Sequence, residues 1–193
     1  IQADYGLNMG FISNPDYRRE IPDGVKVKWS LEQVRKGLET ATGISRATLL
    51  LGLNCGFYPG DIAELLPENF DGKRINKARA KLKGRKSPFV GSWKLWPETV
   101  EALKDFPYGM KADAIAHQFS KFVKANGLQI QKALRGTVAQ WLQDKVSEET
   151  ARLYRCEKVQ GIHGKNYIGF SDEQKEKLGA GLDAIRKFIG LDG

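Results

Sequence analysis

The sequence predicts a mainly α-helical domain with one small antiparallel β-sheet. Three observations predict it. Apolar residues recur at helical spacing through most of the chain after residue 28. Only two short stretches, "RINKARA" and "SPFVGSW", read as strands, and they flank "KLKGRK" as the arms of a hairpin flank its turn. At 193 residues and 41% hydrophobic content, the chain can bury one real core.

The elements follow in order. Residues 1–28, with "SNPDYRREIPDGVKVK", carry two prolines and no helical period, so an irregular arm is expected. In "SLEQVRKGLETA", Ser30 is an N-cap and Gln33 completes a capping box, while Leu31, Val34 and Leu38 mark one face. "RATLLLGLNCGF" reads as a buried helix ending near Gly56. "PGDIAELLPENFD" reads as a short helix opened by Pro59 and stopped before Pro67. After the hairpin, "PETVEALKDF" opens at Pro97. "DAIAHQFSKFVKANG" places Ile115, Phe119, Phe122 and Val123 on one face and stops at Gly127. "QIQKALRGTVAQWLQDK" is a further helix, and Ser147 caps "SEETARLYRCEKV". Ser171 with Gln174 caps the last helix, whose Leu178, Leu182, Ile185 and Ile189 form an apolar stripe. That stripe fits packing at home or docking on a second copy of the chain.

Charge narrows the function. The chain carries a formal charge of +8, which points to a polyanionic partner: DNA, RNA or an acidic membrane. "KRINKARAKLKGRK", from Lys73 to Lys86, holds eight Lys or Arg among fourteen residues, and no Asp or Glu occurs from Gly72 to Pro97. A solvated face is the plain reading of such a run. The absence of interspersed acids and the alternation of cations along a strand favour phosphate binding by Lys73, Arg74, Lys77, Arg79, Lys83, Arg85 and Lys86. Such contacts hold a backbone without reading bases. The longest apolar run is too short to span a membrane, and "IQADYGLNMGF" lacks the pattern of a signal peptide. Cys55 and Cys156 are expected as buried free thiols in a reducing, intracellular setting, cytoplasmic or beside the nucleoid. Without a CxxC, and with only His117 and His163, no metal cluster is expected. No aromatic stacking motif supports an RNA-recognition module.

The order "LLLGLNCGFYPGDIAEL", basic hairpin, "LWPETVEAL", "FSKFVKANGL", "ALRGTVAQWL", then a Tyr ahead of a C-terminal helix, resembles the catalytic domain of the tyrosine recombinases, the phage-integrase family. The resemblance covers about residues 29–190. It implies that residues 1–28 link to a core-binding domain upstream and that residues 29–193 form the catalytic-like domain. It also implies DNA recombination or integration, as in mobile elements, with double-stranded DNA as partner and no cofactor or metal. In this family a tyrosine attacks a phosphodiester to form a 3′-phosphotyrosyl enzyme, and a 5′-hydroxyl later reverses the step. Such chemistry needs a nucleophile, cations around the phosphorane and an acid for the leaving oxygen.

By this resemblance Tyr167, in "HGKNYIGFSDEQ", is the nucleophile, 32 residues after Arg135. Tyr154, inside an apparent helix, is read as a core tyrosine. Lys81, in "RAKLKG", matches the general acid, with Lys83 its near neighbour. Arg135, in "KALRGTV", matches the second phosphate-binding arginine. Departures are specific. Lys132 stands at the first His position. Lys158 falls at the interval of a second His or Trp, and His163, only four residues before Tyr167, resembles the Gly-His motif and competes for that role. Tyr58, in "GFYPGDIAEL", stands where the first arginine should be, with Asp61 as the acid three residues on. A neutral phenol there forfeits roughly 3–4 kcal/mol of transition-state stabilisation. Two readings follow: a recombinase with an altered site, or an inactive DNA-binding module on the same fold.

Overall fold

The computed structural model describes residues 27–80, 89–157 and 169–192. Local chemistry sets the helix starts. In α1 (Leu31–Thr40) the Ser30 hydroxyl accepts from the Gln33 N–H at 3.2 Å while the Ser30 N–H donates to Gln33 Oε1 at 3.0 Å. The same reciprocal box, Ser171 with Gln174, opens α8 (Asp172–Ile189), and Ser147 caps α7 (Glu148–Tyr154). Pro59 and Pro97 occupy the first turns of α3 (Pro59–Ala63) and α4 (Pro97–Lys104). A left-handed Gly127 ends α5 (Ala112–Asn126), as its lack of a Cβ allows.

The centre is α2 (Gly43–Cys55), in which every residue from Ala47 to Cys55 is buried. A helix apolar all round can exist only if others surround it. Here α1, α3, α4, α5 and α6 (Lys132–Lys145) pack on it. Gly52 lets α6 approach: a Cβ there would lie 2.8 Å from Leu134 Cδ1. Asn54 and Thr48 are polar residues buried on this helix, and Asn54 is fully bonded. Its Nδ2 donates to the Lys94 carbonyl at 2.9 Å and its Oδ1 accepts the Trp96 N–H at 2.8 Å, so α2 holds the end of the sheet by both arms of one amide.

The sheet pairs β1 (Arg74–Ala78) with β2 (Val90–Lys94), antiparallel, Arg74 opposite Lys94 and Ala78 opposite Val90. Trp93 carries β2 into the core: its ring meets Phe57 edge-on at 5.0 Å and its indole N–H donates to the Tyr154 carbonyl at 3.2 Å. The Trp96 indole N–H donates to the Leu182 carbonyl at 3.0 Å and ties the sheet's exit to α8.

The third helix ends at Ala63, before Pro67 as expected, and Pro67 opens a separate 3-10 turn, Pro67–Asn69. Two helix starts are corrected. Helix α6 starts at Lys132, not Gln129, and α2 starts earlier, at Gly43. The stripe of Leu178, Leu182, Ile185 and Ile189 on α8 is fully buried against the same chain, so it is no free docking face. Almost all of the 1–28 arm and the whole "KLKGRK" turn lie outside the described residues. No helix among the described residues is long and apolar enough to cross a membrane.

Replacing Asn54 by Ala strands a buried carbonyl and a buried N–H. Each such orphan costs about 1–3 kcal/mol. Urea denaturation of Asn54→Ala should show a loss of roughly 2–5 kcal/mol at unchanged m-value. A loss below about 0.5 kcal/mol would mean that the clamp contributes nothing net.

Candidate functional site

The site is built at the exit of α2. Gly56 turns left-handed at φ 64°, and a Cβ there would lie 3.0 Å from Tyr154 Cζ and 3.2 Å from Arg135 Cγ. Only glycine lets the chain turn this close to both side chains. Tyr58 then caps α3, and the Asp61 carboxylate folds back onto it. Asp61 Oδ2 accepts the Tyr58 N–H at 3.0 Å and Arg79 Nη2 at 2.7 Å. Asp61 Oδ1 accepts the Ala80 N–H at 2.9 Å, and the Asp61 carbonyl accepts Lys77 Nζ at 2.6 Å. One buried acid thus joins α3 to the end of β1.

Two guanidiniums flank the Tyr58 ring. Arg79 Cζ lies 5.5 Å from the ring centroid and Arg135 Cζ lies 5.6 Å from it. Arg79 is 1% exposed; its Nη2 also donates to the Gly56 carbonyl at 2.8 Å. Arg135, from α6, is 8% exposed, and its Nη2 donates to the Arg155 carbonyl just beyond α7. Each guanidinium keeps one buried nitrogen without a hydrogen-bond partner among the described residues: Arg79 Nη1 and Arg135 Nε.

Burial, and then the positive charge of Arg79, lower the Arg135 pKa below the usual arginine value. Burial raises the Tyr154 phenol well above its ordinary value. Its hydroxyl donates toward the Gly52 and Leu53 carbonyls, both at 2.9 Å. Tyr154 is a core tyrosine, as its sequence position implied. Burial also pushes the Cys156 thiol up to about 11, and Cys55 higher still, so both are inert buried thiols.

The fold brings Arg135 and Tyr58 together and leaves Lys132 exposed, one turn earlier on α6. Lys77 and Arg79 do not lie on an outer cationic edge. They share the inward face of β1 and its extension with Ile75, because side chains two apart point the same way. Lys73 is exposed, whereas Arg74 is bonded to Glu176 Oε1 at 2.7 Å and to the Lys175 carbonyl at 3.2 Å. Lys81, Lys83, Arg85, Lys86, Lys158, His163 and Tyr167 lie outside the described residues. The sequence reading missed that Arg79 meets Asp61 and Tyr58. Alternation puts Arg79 on one side with Lys77 and Ile75, but does not say that this side faces inward.

Asp61→Asn removes the charge that partners a buried arginine, a change that typically costs about 3–5 kcal/mol. Denaturant melts should show that loss. Adding Arg79→Met to the same chain should recover part of it, since the uncompensated charge is then gone. Equal losses in the single and double variants would show that the pair is not the source.

No family model and no curated protein sequence matches the chain. Among solved structures, the lambda integrase catalytic core is similar, with a TM-score of 0.51 and 13% sequence identity, over 73% of this chain and 95% of that one. At that identity the likeness speaks for the fold: this mostly helical domain with its two-stranded antiparallel sheet is integrase-like in architecture.

Proposed function

We propose that this domain acts on double-stranded DNA as a tyrosine recombinase, cleaving and rejoining strands through a 3′-phosphotyrosyl intermediate. The observation that carries the reading is the gathering of Arg135 and Arg79 around the Tyr58 ring in an integrase-like fold. In this mechanism the Tyr167 oxygen attacks the scissile phosphorus, and the bond to the 5′-oxygen breaks. Lys81 gives its proton to that departing oxygen. Arg135 stabilises the negative charge that grows on the non-bridging oxygens, where fixed, desolvated donors are worth most. A 5′-hydroxyl attacks the phosphotyrosine in reverse and frees Tyr167. Residues 1–28 would connect this domain to a separate DNA-clasping unit, and the net charge of +8 draws the duplex in.

A second reading, a DNA-binding module without strand cleavage, is favoured by one observation: Tyr58 supplies no charge at the position where the family resemblance calls for an arginine. The two readings separate on a nicked suicide duplex carrying the protein's own site. Recombinase activity gives a covalent protein–DNA adduct, resolved on denaturing gels, that disappears in Tyr167→Phe. Absence of adduct with the full-length protein, with binding intact, would leave the module alone.

Two further outcomes follow. Arg135→Gln should slow adduct formation by on the order of 10²–10³ while changing duplex affinity far less. Neutralising Lys83, Arg85 and Lys86 together should reduce the salt dependence of duplex binding, flattening the slope of log K against log salt by about 3. An unchanged slope would remove the hairpin from the interface.

A further inference from the structure

We infer that Arg79 takes over the role of the arginine missing at Tyr58, so that Arg79 and Arg135 together form the seat of one phosphate. This inference rests on the reading of the domain as a phosphate-handling one and names a positively charged partner within it. In the sequence Arg79 belongs to the cationic hairpin, and nothing there separates it from its neighbours.

Three observations support it. Arg79 is the guanidinium held by Asp61, whose same carboxylate oxygen also takes the Tyr58 N–H, so the chain at residue 58 and the charge from residue 79 are anchored on one atom. Both guanidiniums lie on the Tyr58 ring; Arg79 also donates to the Gly56 carbonyl, and the aliphatic stem of Arg135 passes beside Gly56. Each also retains an interior nitrogen with no acceptor among the described residues. Buried donors are nearly always satisfied, so two orphans on adjacent like charges require an explanation. A tetrahedral oxyanion supplies one: it offers several acceptors and a negative charge where two cations face a single carboxylate.

The Arg135 pKa is lowered first by burial and then by the charge of Arg79, which agrees with two cations close enough to feel one another. An anion between them would relieve that repulsion. Tyr58 serves such a seat as a flat wall, stacking on guanidinium without competing for its donors.

The test is a titration of the folded domain with inorganic phosphate, followed by the arginine side-chain N–H signals in ¹⁵N NMR. Arg79 and Arg135 signals should shift together along one saturation curve. Arg79→Lys keeps a charge against Asp61 but loses the forked donor, and should weaken phosphate binding by about tenfold or more. Should Arg79→Lys fail to fold, Arg79→Met combined with Tyr58→Arg returns an arginine to the neighbourhood of Asp61 and should regain binding. Phosphate that shifts Arg135 but not Arg79, or binds Arg79→Lys as tightly as the parent, overturns the inference, as does a folded double variant with no phosphate affinity.

A short duplex then separates the source of the phosphate and the two levels of the argument. Phosphate seated by both arginines, without covalent adduct on the suicide duplex, keeps the seat and removes strand cleavage. Adduct formation undiminished in Arg79→Lys keeps cleavage and removes Arg79 from it.

Discussion

The buried pair of Asp61 and Arg79 is the contact on which the rest of the candidate site depends. Two charges withdrawn from water at 1% and 4% side-chain exposure are stable only with near-complete hydrogen bonding around them. Asp61 has it: its two oxygens accept from Tyr58, Arg79 and Ala80. Arg79 has it only in part, since Nη1 is left over. The pair therefore fixes geometry, joining α3 to the end of β1, more than it lowers energy.

A rigid frame stands behind it. Helix α2 cannot shift without disturbing the helices packed around it, and Asn54 ties it to the exit of the sheet. The close approaches at Gly52 and Gly56 set the distance from α2 to α6, and so the position of Arg135 relative to Tyr58. Tyr154 closes the arrangement from α7, its hydroxyl spent on the last carbonyls of α2.

The charge balance near Tyr58 is what sets this site apart. Arg79 and Arg135 both meet the Tyr58 ring, and the buried Asp61 carboxylate holds Arg79. Arg79 approaches the ring from the end of β1, and Arg135 approaches it from α6.

The sequence by itself determined the fold class and most element starts. The signals there are local: Ser30 with Gln33, Ser171 with Gln174, and prolines at 59 and 97 act on neighbours within a turn. It also singled out Arg135 and Tyr58, through motif order. What it could not supply was sidedness. A run of cations reads alike whether its alternate members face water or core, and only the packing of β1 against Phe57 and α3 turned Lys77 and Arg79 inward. Likewise the apolar stripe of α8 matched two destinations equally, and the surrounding α6, α7 and β2 decided between them. Pairing between residues 61 and 79 is a property of the folded chain. Coulombic attraction depends on distance and dielectric, and both are set only when the elements pack.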